Sequence, residues 1–267
     1  MTNDLAQLTQ QLDGALRLAY EAGEKIMEIY AQNFDIAAKD DKSPLTEADL
    51  IAHQIIKQGL SALKPEFPVL SEESSQLPYE TRASWETYWL VDPLDGTREF
   101  IKRNGEFTVN IALIQGHNAV LGVVAAPAKE LSYYACRGQG AYKVNGGCPV
   151  RIQVRKPTPK RPVVVGSRSH AGNSLTAFLG RLGDHELISM GSALKFCLVA
   201  EGLADIYPRF GPTSEWDTAA AQCVAEEAGA QVTDLTMNRL CYNTKDSLLN
   251  PHFLVIGNPE FGWSTYL

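Results

Sequence analysis

Leu5, Leu8, Leu12, Leu16, Ala19, Gly23, Ile26 and Tyr30 recur at steps of three or four residues. That spacing predicts one long amphipathic helix over residues 4–32. A turn at Asp40-Asp41-Lys42-Ser43-Pro44 leads to a second helix. Thr46 is placed to cap it by accepting the backbone N–H three residues on. Its expected buried face is Ile51, Ile55 and either Gln58 or Gly59, and it ends before Pro65. From Phe67 the texture changes. Phe67-Pro-Val-Leu70 and Tyr88-Trp-Leu-Val91 are short apolar strand candidates. Residues 107–115, 119–126 and 131–136 are β-rich runs broken by Gly116-His-Asn118 and Arg137-Gly-Gln-Gly140, which predicts an antiparallel meander.

Residues 151–161 contain five basic residues and two prolines without an apolar period, as a linker or an exposed edge would. Beyond them strands and helices alternate: strand 163–165, helix 174–182, strand 186–188, helix 193–201, strand 205–207, helix 216–228 and strand 253–256. Alternation of this kind predicts a layered α/β half. The chain thus divides into an N-terminal α+β lobe, residues 1–155, and a C-terminal α/β lobe, residues 156–267.

Composition narrows the function. Acids outnumber bases 31 to 24 for a net charge of −7, which argues against a nucleic-acid polymer as partner. Five cysteines stand far apart with no C-x-x-C, as expected in a reducing, cytoplasmic compartment. Met1-Thr-Asn-Asp-Leu-Ala-Gln lacks the basic and apolar regions of a signal peptide. The longest apolar run, residues 119–128, is half of the roughly 20 residues needed to span a bilayer. A soluble cytoplasmic protein is expected, compatible with peripheral contact at the inner-membrane face. No P-loop, dinucleotide fingerprint, zinc-protease helix or nucleophile elbow is present.

Three acidic clusters remain: Ser71-Glu72-Glu73-Ser74, Asp92-Pro-Leu-Asp-Gly-Thr97 and Glu215-Trp-Asp217-Thr-Ala-Ala220. Acids at strand ends and helix starts are held by rigid elements, where an oxygen-ligand site for a hard cation would be built. In the second cluster Pro93 restrains Asp92, and Gly96 supplies a permissive turn. Asp92, Asp95 and the Leu94 carbonyl could flank a cation, and Gly96 and Thr97 could seat a phosphate at a helix start. An EF-hand does not fit, because Arg103 stands where its closing glutamate belongs. Asp-Pro and Asp-Gly are also ordinary turn formers, so the pattern alone leaves both a site and a solvated loop open.

The ordered set Glu72-Glu73, Asp92-Pro-Leu-Asp-Gly-Thr97 and Trp216-Asp217-Thr-Ala-Ala220 resembles the inositol monophosphatase superfamily of lithium-sensitive, magnesium-dependent phosphatases. The resemblance extends from the helix carrying Asp49 to the helix carrying Asp217. It implies an α/β fold (α+β by some schemes), a layered αβαβα sandwich of the inositol monophosphatase and fructose-1,6-bisphosphatase type. It further implies that Glu72, Asp92, the Leu94 carbonyl, Asp95 and Asp217 ligate two or three Mg²⁺ ions, with Glu73 a supporting acid behind them. Thr97 would be the catalytic threonine, oriented by Asp49. On position alone Asp49 reads as a first-turn acid favouring its helix dipole.

Gly166-Ser-Arg-Ser-His170, Gly191-Ser-Ala-Leu-Lys195 and Tyr207-Pro-Arg-Phe-Gly-Pro-Thr-Ser-Glu-Trp-Asp217 resemble the bacterial 3′(2′),5′-bisphosphate nucleotidase branch. That branch implies Lys195 and Arg209 on the non-reacting 5′-phosphate, Ser192 donating a hydrogen bond, and His170 touching the nucleotide. Glu72, Gly96, Thr97 and Asp217 would meet the scissile phosphate. An acidic protein needs such local cations for a substrate with two phosphates. The implied reaction converts 3′-phosphoadenosine 5′-phosphate to AMP and phosphate, a step of sulfur assimilation and nucleotide detoxification. An inositol monophosphatase is the alternative enzyme, and an inactive metal or nucleotide sensor the alternative from another class. Oligomeric state is not legible in the sequence.

Overall fold

Strands that are apolar at nearly every position must be covered on both faces. The central strands of this chain are of that kind, and the layering follows from it. The computed structural model describes residues 2–32, 36–38, 44–74, 77–167 and 172–267. Helix α1 (Thr2–Tyr30) is followed by β1 (Ile36–Ala38), which pairs antiparallel with β2 (Pro44–Thr46), and by α2 (Glu47–Ala62). The expected turn at residues 40–43 lies outside the described residues.

Next come β3 (Val69–Ser71), the short α3 (Tyr79–Arg82), β4 (Thr87–Asp95), α4 (Thr97–Ile101), β5 (Thr108–Gln115) and β6 (Asn118–Ala126). With β7 (Leu131–Cys136), β8 (Gly140–Asn145) and β9 (Val150–Ile152), these strands form a seven-stranded sheet in the order β3-β4-β5-β6-β7-β8-β9. All neighbours are antiparallel except the parallel pair β3 and β4.

The rest of the chain supplies β10 (Val163–Ser167), α5 (Asn173–Leu182), β11 (Glu186–Met190), α6 (Leu194–Ala200), β12 (Ile206–Arg209), α7 (Glu215–Glu227), β13 (Gln231–Asp234) and β14 (Phe253–Ile256). Its five-stranded sheet has the order β11-β10-β12-β14-β13, with β10 parallel to both neighbours and β14 antiparallel to both of its own.

Alternate residues of each strand feed different layers. Trp89, Val91, Val109, Ile111, Leu121 and Val123 face α1 and α2. Leu90, Ala112, Ile114 and Val124 face the opposite way, toward α6, α7 and the inner residues Val165, Tyr207, Phe253 and Val255 of the second sheet. Val164, Ile206, Leu254 and Ile256 then pack under Phe178 of α5 and Trp263. The result is the expected αβαβα stack.

Three expectations need correction. The buried face of α2 is Ala48, Ala52, Ile56 and Leu60, whereas Ile51 and Ile55 are only half-buried on its flank. The period was right and the phase one residue off. Alanines let α2 approach α1 closely, and a search for large apolar side chains passes over them. At Gly59 a Cβ would meet Leu18 Cδ2 at 2.0 Å, so the helices touch there as well. Strands β8 and β13 were not expected, because at sheet margins they mix polar and apolar residues without a clean period. Residues 151–161 do begin on the exposed edge strand β9, but they are fastened down. The Val154 N–H donates to the Ala228 carbonyl, and Arg155 forks onto buried Asp205 at 3.1 and 2.5 Å.

Candidate active site

The pairing of β4 with β5 slips between Asp92 and Asp95, where Pro93 cannot donate to the ladder. The freed Leu94 N–H turns back onto Asp92 Oδ1 at 3.1 Å. Gly96 follows at φ +93°, and a Cβ there would lie 3.1 Å from the Glu106 carbonyl oxygen, so conformation and space both ask for glycine. Thr97 then opens α4. Its hydroxyl stands 3.2 Å from Asp49 Oδ1 and 3.4 Å from the Leu94 carbonyl.

Two further acids arrive on helix starts. Asp49 and Asp217 each occupy the third residue of a helix, in a capping box with Thr46 and Ser214. Asp49 Oδ2 accepts the Thr46 N–H and hydroxyl at 2.8 and 2.6 Å, which leaves Oδ1 for Thr97. Asp217 Oδ2 accepts the Ser214 N–H at 2.9 Å. Helix α7 can lower its N-terminus onto the sheet because Gly122 lies beneath it. A Cβ at Gly122 would be 2.1 Å from the Ala220 carbonyl oxygen. Glu72 follows Ser71, which pairs with Val91 in the parallel register, and this sets Glu72 beside Asp92.

Glu72, Asp92 and Asp217 each offer a carboxylate oxygen within 4.8 Å of the others. Asp95 is not a member of that trio. It accepts from Asn110 Nδ2 and Thr108 Oγ1 at 3.4 and 3.5 Å and is electrostatically linked to Glu72 and Asp217.

Cations share with these acids a cavity of about 280 Å³ lined by Glu72, Asp95, Gly96, Thr97, Ser192, Lys195, Arg209 and Asp217, among others. Lys195 is buried, donates to the Ser192 carbonyl at 2.5 Å and lies 5.5 Å from the centre of the Tyr207 ring. Arg209 is braced by Thr213 Oγ1 at 2.7 Å and the Pro212 carbonyl at 2.9 Å.

Burial, then the neighbouring Asp95 and Glu72, push the Asp217 carboxyl up to about 8. Burial and Glu72 raise Asp95 to about 6 against the pull of Lys195, the Ala193 backbone and Asn110. Burial draws Lys195 down to about 8 with help from Arg209, while Asp95, Glu99 and Asp217 oppose it. Acids that resist ionisation because they are buried together are what a divalent cation relieves. Oxygen is the only donor type offered, which fits a hard cation such as Mg²⁺ rather than zinc.

Glu73 is half-buried on the turn after β3 and is not among the residues lining the cavity. His170 and Arg168 lie outside the described residues. Sequence reasoning passed over Glu106, Thr108, Asn110, Tyr207 and Thr213. The two-residue step from Thr108 to Asn110, opposite the acids, was a usable signal. Nothing local distinguished Glu106.

The chain belongs to the inositol monophosphatase family, a family of metal-dependent phosphatases whose model matches residues 7–257. It is 53% identical over 246 residues to the 3′(2′),5′-bisphosphate nucleotidase CysQ of Salmonella typhimurium (strain LT2), covering 91% of this chain and 98% of that one. Identity to the protein of the same name from Escherichia coli (strain K12) is 52%, with the same coverage. The crystal structure of CysQ from Bacteroides thetaiotaomicron, a bacterial member of the family, matches with a TM-score of 0.82 at 44% identity, over 92% of this chain and 96% of that one. Among the described residues no helix is long and apolar enough to cross a membrane.

Proposed function

We infer that this protein is a Mg²⁺-dependent 3′(2′),5′-bisphosphate nucleotidase that converts 3′-phosphoadenosine 5′-phosphate and water to AMP and phosphate. The observation carrying this reading is one cavity that gathers both signs of charge: the carboxylates of Glu72, Asp95 and Asp217, with Asp92 beside Glu72 and Asp217, and the cations Lys195 and Arg209. A monophosphate would use the carboxylate cluster alone, through the ions it holds. The activity in the names of the bacterial relatives supports the same substrate class.

Glu72, Asp92, Asp95, Asp217 and the Leu94 carbonyl would hold two or three Mg²⁺ ions. Bound there, the ions would supply the Lewis acidity that activates water near neutral pH and neutralises charge on the departing 3′-oxygen. The Thr97 hydroxyl donates to Asp49, so as its oxygen takes a proton from the attacking water its own proton passes to Asp49 Oδ1, and the water is aimed along the P–O bond. Gly96 and Thr97 meet the scissile phosphate at the start of α4. Lys195 and Arg209 hold the 5′-phosphate, Ser192 donates to it, and His170 contacts the nucleotide.

The test compares Lys195→Ala with the wild type on 3′-phosphoadenosine 5′-phosphate and on inositol 1-phosphate, at one magnesium concentration. Loss of a charged hydrogen bond should raise KM for the bisphosphate by roughly 10- to 100-fold and leave inositol 1-phosphate within about twofold. Equal effects on both substrates would remove the clamp. Tight nucleotide binding without phosphate release by the wild type would favour the sensor.

A further inference from the structure

We propose that Glu106 is a positioning residue that sets the spacing of two segments lining the cavity, residues 95–97 and 191–195, and with it the preference for a bisphosphate over a monophosphate. The proposal rests on the bisphosphate reading above. Glu106 lies between α4 and β5 and is 7% exposed. Its Oε2 accepts the Gly191 N–H at 2.8 Å. Its own N–H is held by Asn104 Oδ1 at 2.9 Å.

The Glu106 carbonyl oxygen is wedged between two glycines, one from each of these segments. A Cβ would stand 3.1 Å from it at Gly96 and 2.7 Å from it at Gly191. Gly96 belongs to the turn that delivers Asp95 and Thr97. Gly191 begins the segment that delivers Ser192 and Lys195. One residue therefore gauges the separation of the two segments, with its backbone as spacer and its carboxylate as tether.

What the tether holds is under strain. Ser192 sits at φ +47°, a conformation costly for a residue other than glycine. Its carbonyl accepts from Lys195 Nζ, and the next backbone N–H, that of Ala193, bonds Asp95. A strained turn persists only where its surroundings over-determine it. The charge-assisted bond from Gly191 to Glu106 is part of that determination. Without an acceptor, the buried Gly191 N–H is left unpaired, and the turn relaxes toward one that satisfies it. Lys195 then moves relative to Asp95 and Thr97. A substrate that engages both segments registers the change, and a substrate that engages one segment registers it far less.

The experiment measures kcat, KM and Tm for Glu106→Gln and Glu106→Leu with 3′-phosphoadenosine 5′-phosphate and with inositol 1-phosphate at fixed magnesium. Glu106→Gln keeps an acceptor oxygen and should stay within about threefold of wild type on both substrates. Glu106→Leu fills similar volume without an acceptor and should raise KM for the bisphosphate by about tenfold or more, with a much smaller rise for the monophosphate. Equal losses on both substrates, or a glutamine variant as impaired as the leucine one, would overturn the proposal.

Should Glu106→Leu fail to fold, Gly191→Ala presses on the same carbonyl and must give the same substrate-selective rise in KM; an unselective rise refutes the gauge. A wild type without preference for the bisphosphate would bring down the underlying reading and this inference together. A preference that survives in Glu106→Leu would bring down this inference alone.

Discussion

Asp49→Asn separates the two tasks of one side chain. In the native protein Oδ2 accepts both donors of Thr46, and Oδ1 accepts the Thr97 hydroxyl. An asparagine has one acceptor oxygen, and the Thr46 N–H and hydroxyl both require it. The amide NH₂ then faces Thr97, whose oxygen becomes an acceptor and whose proton must point elsewhere. The cap survives, so the stability lost is mainly the charge–dipole term at the start of α2, about 0.3–1 kcal/mol. In a chain of this size that is roughly 1–4 °C in Tm. The catalytic loss is of another order. Removing the group that orients a proton acceptor costs roughly 10²- to 10⁴-fold in kcat. Because Asp49 acts through Thr97, the Asp49→Asn/Thr97→Ala double variant should be no slower than Thr97→Ala alone. Saturating initial rates and circular-dichroism melts measure both quantities. An Asp49→Asn enzyme within about threefold of wild-type kcat would refute the reasoning, and so would full additivity with Thr97→Ala.

Two other predictions follow from the acids and the turn. The Asp217 carboxyl is raised from 3.8 to about 8, so the native chain keeps a proton that the unfolded chain has lost between those values. In chelator, this group should therefore cost stability as pH rises through that window, and Mg²⁺ should restore it by displacing the proton. The rise in Tm on adding Mg²⁺ should be larger near pH 8 than near about pH 5.5, and Asp217→Asn should flatten the difference; a pH-independent rise in the wild type would contradict it. Gly96→Ala places a Cβ in a left-handed turn and against the Glu106 carbonyl. It should cost at least about 1–2 kcal/mol, seen as a fall of roughly 2–8 °C in Tm, and lower kcat more than about tenfold. Wild-type values for both would remove the argument for glycine.

Much of the site was legible because its densest part is contiguous. Asp92, Pro93, Asp95, Gly96 and Thr97 act on one another through backbone geometry, which neighbouring residues dictate: a proline that breaks the ladder, then a glycine that admits the turn. The helix starts at Asp49 and Asp217 were legible for the same local reason, since a cap and its partner acid lie three residues apart. The face of α2 was misjudged because what buries a helical residue is its neighbour. Ala48 and Ala52 are buried in the cluster that α1 and the first sheet form with α2, and no property of an alanine announces that. Glu106 carried no signal, as its partner Gly191 is 85 residues away.

The long helices, the antiparallel run of central strands, the turn chemistry and the type of ligand atom were thus decided by the sequence alone, through interactions that extend only a few residues. The convergence of Glu72, Asp92 and Asp217 was decided by the tertiary structure. It required the parallel register of β3 against β4 and the close seat of α7 over Gly122. The placement of Lys195 and Arg209 in one cavity with acids of that cluster was decided in the same way, by how the second sheet stacks on α6 and α7. The physical reason is that charges act across a few ångströms of space, and only packing determines which distant residues share that space.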